Sequence, residues 1–222
     1  MLEVRKYKKP ELTEMLGTKS VDNLKKKLDR YSVEYDVSGR GEKAIFDIKV
    51  INDPFKVFCI TELGFDANTN FKRLAYFLYC YFNDEEFMAM PNEVKANRLD
   101  RERKYISRQT IAVYTTRLEK KELIYRDTDK FIYYFALGKE QIITNKKEYC
   151  QAWKLYWECI EEEAESWMAM NIVRRTYGGC PRKQAIPEVN AFYLEITDYL
   201  VGLAQEVIEK DIVNNSNQPI NS

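Results

Sequence analysis

The sequence predicts a mainly α protein with small β-hairpins, an α+β class: two helical blocks that each close on a hairpin, then a helical C-terminal region. Three observations predict it. Apolar residues recur at steps of three and four over most of the chain, the period of one α-helix face. Two stretches switch to alternation, the period of a strand. Glycine (8) and proline (6) are scarce among 222 residues, which disfavours a turn-rich β-sandwich.

In the first block Pro10 opens a short helix through Leu16, and Gly17 ends it. Ser20 is the expected N-cap of a second helix. Its apolar face is Val21, Leu24, Leu28 and Tyr31, and the opposite face shows Asn23, Lys25, Lys26, Lys27 and Arg30. Alternation follows at Val33, Tyr35 and Val37. After Ser38-Gly39-Arg40-Gly41 it resumes at Ala44, Phe46, Ile48 and Val50, a hairpin with a glycine-bearing tip.

The segment 55–69, with Gly64, Asp66 and Asn68, reads as a strand or linker. The second block then repeats the order. Asn70 to Asn83 is a strongly apolar helix, and Pro91 opens another through Leu99. Ser107 caps a third, Arg108 to Leu118, whose Ile111, Tyr114 and Leu118 share a face. A hairpin is expected next, with Leu123 to Tyr125 as one arm, Arg126 to Lys130 as the tip and Phe131 to Leu137 as the other arm.

From Lys139 the pattern is helical up to Gly178-Gly179-Cys180-Pro181. Trp153, Trp157, Ile160, Ala164 and Trp167 step by three and four as a packing stripe, flanked by Glu158, Glu161, Glu162, Glu163 and Glu165. A last helix is expected from after Pro187 to about Val213. The resulting division is 1–54, 55–69, 70–138, 139–213 and a polar, disordered tail 214–222.

Composition narrows the chemistry. There is no histidine, which excludes His-dependent triads, histidine acid–base catalysis and His-containing metal sites. The cysteines (59, 80, 150, 159 and 180) form no Cys-x-x-Cys pair, so neither a metal nor another cofactor is expected. The consecutive glutamates point around a helix rather than converging, and Gly178-Gly179 does not make a phosphate-binding loop. A non-enzymatic binding protein is expected. Scattered thiols and a start without an apolar stretch suggest the cytoplasm. The 35 basic and 35 acidic residues cancel, yet they are unevenly placed: net +3 over 1–50, −3 over 51–100, +5 over 101–150 and −5 over 151–222. Two basic blocks and an acidic C-terminal region are more informative than the zero total, although +3 and +5 are modest charges for a nucleic-acid binder.

Helix, turn, helix, hairpin is the order of the winged helix-turn-helix, and residues 10–50 and 70–137 resemble it. The most specific stretch is Ser107-Arg108-Gln109-Thr110-Ile111 with Leu118-Glu119-Lys120-Lys121-Glu122-Leu123-Ile124. Winged-helix proteins of phage, plasmid and bacterial type commonly open the recognition helix with Ser-Arg-x-Thr and close it with Leu-Glu-Lys-Lys-Gly-Leu-Ile. Glu122 stands where that pattern has glycine. The resemblance covers about half of the chain. It implies double-stranded DNA as the partner, with recognition helices 20–31 and 107–120 in the major groove.

On that reading Ser20 and Asn23 contact bases or phosphate, and Lys25, Lys26, Lys27 and Arg30 contact phosphate. Arg40 and Lys43 reach out from the first hairpin tip and Lys130 from the second. Arg108 and Gln109 suit guanine and adenine edges, supported by Ser107, Thr110 and Arg117. Trp153, Trp157 and Trp167 are expected in a core, in a homodimer seam of the C-terminal helices or against a protein partner. The expected role is a transcriptional regulator, a repressor. The alternatives are a plasmid or phage replication initiator, and a phage-type inhibitor of a host nucleic-acid enzyme acting through the acidic C-terminal surface.

Overall fold

A computed structural model describes residues 2–101, 104–138 and 140–216, without the side chains of 214–216. Helices make up 58% of it and the sheets are small and antiparallel, so the mixed, mainly helical class holds. Among the described residues no helix is long and apolar enough to cross a membrane. The chain divides into two compact units, residues 1–79 with 195–222, and residues 80–194.

The first unit begins with strand β1 (Lys6–Lys8) and helices α1 (Lys9–Leu16) and α2 (Val21–Arg30). Gly17 at φ 61° caps α1 in the left-handed region, where glycine carries no Cβ penalty. Strands β2 (Val33–Ser38) and β3 (Ile45–Ile51) follow, joined by a tip with a 3-10 turn at Gly41–Lys43. The sheet order is β1-β3-β2, with Tyr7 and Val37 opposite Phe46. Strand β1 is an addition to the expected hairpin. Its three residues are too few to show alternation.

Tyr7, Leu12, Leu24, Leu28 and Phe46 are fully buried together and fix the two helices against the sheet. The tip is tight: a Cβ on Gly39 would lie 2.6 Å from the Lys43 carbonyl oxygen. The Glu42 carboxylate pairs with the largely buried Lys9 ammonium, tying the tip back to α1. Helix α3 (Pro54–Thr61) occupies part of the expected linker. Asp53 caps it through the Lys56 amide at 2.9 Å, and Pro54 opens it.

Helix α4 (Phe71–Asn83) carries the chain into the second unit. There α5 (Glu85–Ala89), α6 (Asn92–Arg101) and α7 (Arg108–Lys120) precede strand β4 (Ile124–Leu137). Strand β5 (Glu140–Thr144), helices α8 (Lys146–Glu161) and α9 (Ser166–Tyr177) and strand β6 (Cys180–Val189) complete the unit. The last helix, α10 (Leu194–Ser216), joins the first unit from Glu195. It covers the first residues of the expected tail; 217–222 lie outside the described residues.

The second sheet, β5-β4-β6, corrects the sequence reading twice. First, residues 126–130 are not a hairpin tip. They are a bulge inside one long strand, between Arg126 and Phe131, and the hairpin turns at Gly138 instead. The Asp127 carboxylate accepts the Asp129 amide at 2.7 Å, a local turn within the strand. Second, the C-terminal region is not wholly helical, because 140–144 and 180–189 are strands. Residues 180–189 pair with β4 only across 50 or so intervening residues, so no local pattern marks them. Gly179 lets them in: a Cβ there would sit 2.8 Å from the Ala136 amide nitrogen.

The tryptophan stripe does not continue as one helix either. The chain breaks between α8 and α9, with Glu163 at φ 65°. Trp153 is half-buried, stacked edge-on against Tyr149 and Tyr156. Trp157 and Trp167 stand out into solvent at 57% and 59% exposure, so neither is a core residue of this unit.

Candidate nucleic-acid interface

In each unit the second of two successive helices is followed by antiparallel strands. Helix α2 buries Leu24 and Leu28 and turns Asn23, Lys26 and Arg30 outward. Ser20 holds the N-cap position with extended backbone, and its hydroxyl makes no capping hydrogen bond, which leaves it exposed at the helix start. Lys25 is half-buried.

Lys27 is held elsewhere. Its ammonium donates to the Leu16 carbonyl at 2.5 Å and so satisfies the C-terminal end of α1. It ties α2 to the end of α1 rather than joining the open cationic face. Arg40 and Lys43 are exposed at the hairpin tip. Among the described residues, Lys26, Arg30, Arg40 and Lys43 have no ion-pair partner, which leaves four cations available to an external anion.

Helix α7 is built more rigidly at its start. The Ser107 hydroxyl caps the helix by accepting the Thr110 amide at 3.2 Å, and lies 2.9 Å from the Thr110 hydroxyl. Thr115 bonds back to the Ile111 carbonyl at 3.0 Å. Ile111, Tyr114 and Leu118 face inward as expected. Gln109 and Arg117 are exposed. Arg108 is also exposed, and its Nε lies 3.6 Å from a Glu93 carboxylate oxygen on α6.

Lys130 sits in the β4 bulge, not at a tip. Its ammonium pairs with Glu188 on β6 and lies 3.5 Å from Asp127. The hydrogen bonds from Lys130 and Tyr125 hold the Glu188 carboxyl below the usual carboxylate range. Lys130 is thus ion-paired along the sheet while remaining exposed.

Sequence reasoning passed over Val113, Thr116 and Lys120. With Ala112 and Arg117 they line a shallow depression of about 360 Å³ on α7. Their spacing from Gln109, steps of four, three and four, was the available signal.

The two helices end alike. After α2 the chain passes through Ser32 at φ 59°, and after α7 through Glu122 at φ 57°. In each case the amide of that residue bonds three back, to Asp29 at 3.1 Å and to Glu119 at 2.9 Å. Glu122 therefore adopts the left-handed conformation that glycine takes freely. The acid three residues earlier also binds the next strand. Asp29 accepts the Tyr35 hydroxyl at 2.9 Å, and Glu119 lies 2.6 Å from Arg126 Nε. Burial, with the Asp29 bond, pushes Tyr35 up to about 12.

On α6 the second unit holds a buried lysine. Lys95 is 1% exposed and donates to the Met88 and Met90 carbonyls at 2.9 and 2.6 Å, with its ammonium 5.2 Å from the Tyr81 ring centre. Burial, aided by Arg126, lowers it to about 7. Among the described residues no group of three or more Cys, Asp or Glu is placed to hold a metal ion.

The class these features define is a two-unit α+β chain that presents two outward helix faces, each braced by a small antiparallel sheet. No protein-family model, curated protein or solved structure matches the chain.

Proposed function

We propose that the chain is a sequence-specific, double-stranded DNA-binding protein of winged helix-turn-helix type, acting as a transcriptional regulator. Helices α2 and α7 are the recognition helices, and the β2–β3 tip is a wing. The observation that carries the reading is the pair of outward helix faces reached through one shared junction, the left-handed residue between recognition helix and strand. Lys26, Arg30, Arg40 and Lys43 supply phosphate contacts that need no rearrangement of internal ion pairs. A homodimer through the C-terminal helices would give the two-fold footprint of a repressor.

Binding across a salt series tests this, using a random duplex and duplexes selected from a random pool. Lys26→Ala, Arg30→Ala and Lys43→Ala together should weaken binding to every sequence. They should also reduce the salt slope by about two to three, near 0.9 per lost phosphate contact. A palindromic selected site supports the regulator, and directly repeated sites favour a replication initiator. No duplex binding at about 50 mM salt, where even non-specific contacts are strong, overturns the reading.

A second reading, a protein-binding inhibitor, is favoured by one observation. Trp157 and Trp167 are exposed on either side of the α8–α9 break, and residues 155–173 contain five glutamates and no cation. That surface suits a basic protein partner.

A further inference from the structure

We propose that α7 selects A·T base pairs, with Val113 packing on a thymine 5-methyl group and Gln109 reading an adjacent adenine. The proposal rests on the DNA-binding reading above and names the class of duplex that it requires. Val113 is 56% exposed in the middle of a helix whose inward positions are filled by Ile111, Tyr114 and Leu118. One exposed valine is ordinary on a protein surface. What surrounds this one is informative.

Gln109, Val113, Thr116 and Lys120 lie along one face with Ala112 and Arg117 beside them. Between Arg108 and Arg117 the helix carries no charge at all. A face that bound only phosphate would carry cations there, as α2 does with Lys25 and Lys26. At the N-terminal end of α7 the guanine reader is Arg108, and the Glu93 carboxylate 3.6 Å away competes for it; Arg117 and Lys120 stand at the far end of the face, two turns or more from Gln109. Gln109 has no partner among the described residues, and a glutamine amide matches the N6/N7 edge of adenine.

Only thymine presents a methyl group in the major groove, and small apolar side chains are what meet it. Gln109 and Val113 are one turn apart, about 6 Å along the helix, so they address neighbouring base pairs. Arg117 and Lys120 at the end of the face hold the backbone.

The test uses the full chain and a duplex selected from a random pool. Each thymine is replaced in turn by deoxyuridine, which removes the methyl group and keeps the base pair. The expected result is a loss of about three- to tenfold at one or two positions for the unaltered protein, the scale of one buried methyl group. Val113→Ala should lose a similar factor on the parent duplex and become insensitive to deoxyuridine at those positions. Gln109→Ala should lose discrimination against G·C at the adjacent pair by about ten- to a hundredfold. Thermal unfolding of both variants, which alter exposed side chains, controls for folding.

Tight binding to the selected duplex with no deoxyuridine-sensitive position overturns the A·T assignment and leaves DNA binding intact. So does a Val113→Ala protein as sensitive as the parent. Absence of any duplex binding at about 50 mM salt overturns the DNA reading itself, and this proposal with it.

Discussion

Helices α2 and α7 end in the same way and present opposite chemistries. Leu28-Asp29-Arg30-Tyr31-Ser32-Val33 and Leu118-Glu119-Lys120-Lys121-Glu122-Leu123 occupy equivalent steps. A fully buried leucine begins each, an acid clasps the following strand, a left-handed residue makes the turn, and a buried apolar residue re-enters the core. The outward faces differ. On α2 it is charged along its length, with Asn23, Lys26 and Arg30 exposed; on α7 its middle is uncharged and partly apolar through Gln109, Val113 and Thr116, with Arg117 and Lys120 at its end. The junction is constrained by backbone geometry and core volume, so it recurs. The outward face is constrained by neither and is free to answer to a ligand. Architecture repeats where packing demands it, while residue identity diverges on the face that packing leaves open.

The comparison breaks most visibly at the leucines. Leu28→Ala and Leu118→Ala each remove a side chain with no exposure and should each cost about 2–5 kcal/mol in urea unfolding. If one costs under about 1 kcal/mol, the two junctions are not equivalent. Lys95 sharpens the contrast: the buried lysine of the first unit, Lys9, is paired with a carboxylate, whereas the ammonium of Lys95 is held by backbone carbonyls. Its folded value, about 7, lies below the ordinary lysine value of 10.5, so the unfolded chain holds the extra proton between them. Stability should therefore rise with pH across that window, by at most about 1.4 kcal/mol per pH unit. Lys95→Met should flatten the rise, and equal slopes in both proteins would show that another group governs it.

The smallest effect concerns the turn residues. Glu122→Gly and Ser32→Gly relieve a left-handed conformation and should each stabilise by about 0.5–1 kcal/mol. A loss of stability in either variant would mean that its side-chain contacts outweigh the backbone strain. For Glu122 those contacts include the Tyr193 hydroxyl at 3.4 Å.

Much of this fold was legible in the chain. The periodicity of Val21, Leu24, Leu28 and Tyr31 placed α2 to within a residue, and Ser107 marked the start of α7. The first hairpin was legible because its two arms are adjacent in sequence and alternate. The second was misplaced because polar residues 126–130 look like a turn but form a bulge, held by Glu188 from a strand some sixty residues away. The candidate site was legible in part. Of the face expected from spacing, Asn23, Lys26 and Arg30 are exposed while Lys25 and Lys27 are half-buried; Gln109, chosen for its chemistry, is exposed. Lys27 and Lys130 are spent on internal partners, and nothing in their immediate sequence distinguishes them from the lysines that remain open.

The sequence by itself determined the local elements: which residues form helices, where Ser20 and Ser107 begin them, where Gly17 ends one, and that no histidine chemistry is available. These follow from interactions within a few residues: the Ser107 cap, the helical period at α2, where the Ser20 hydroxyl makes no cap bond, and composition. Only the tertiary structure decided which strand completes the second sheet, to which unit α10 belongs, and which cations stay free. Those outcomes depend on hydrogen bonds and ion pairs between residues far apart in the chain, and such pairings leave no periodic trace in either partner's own neighbourhood.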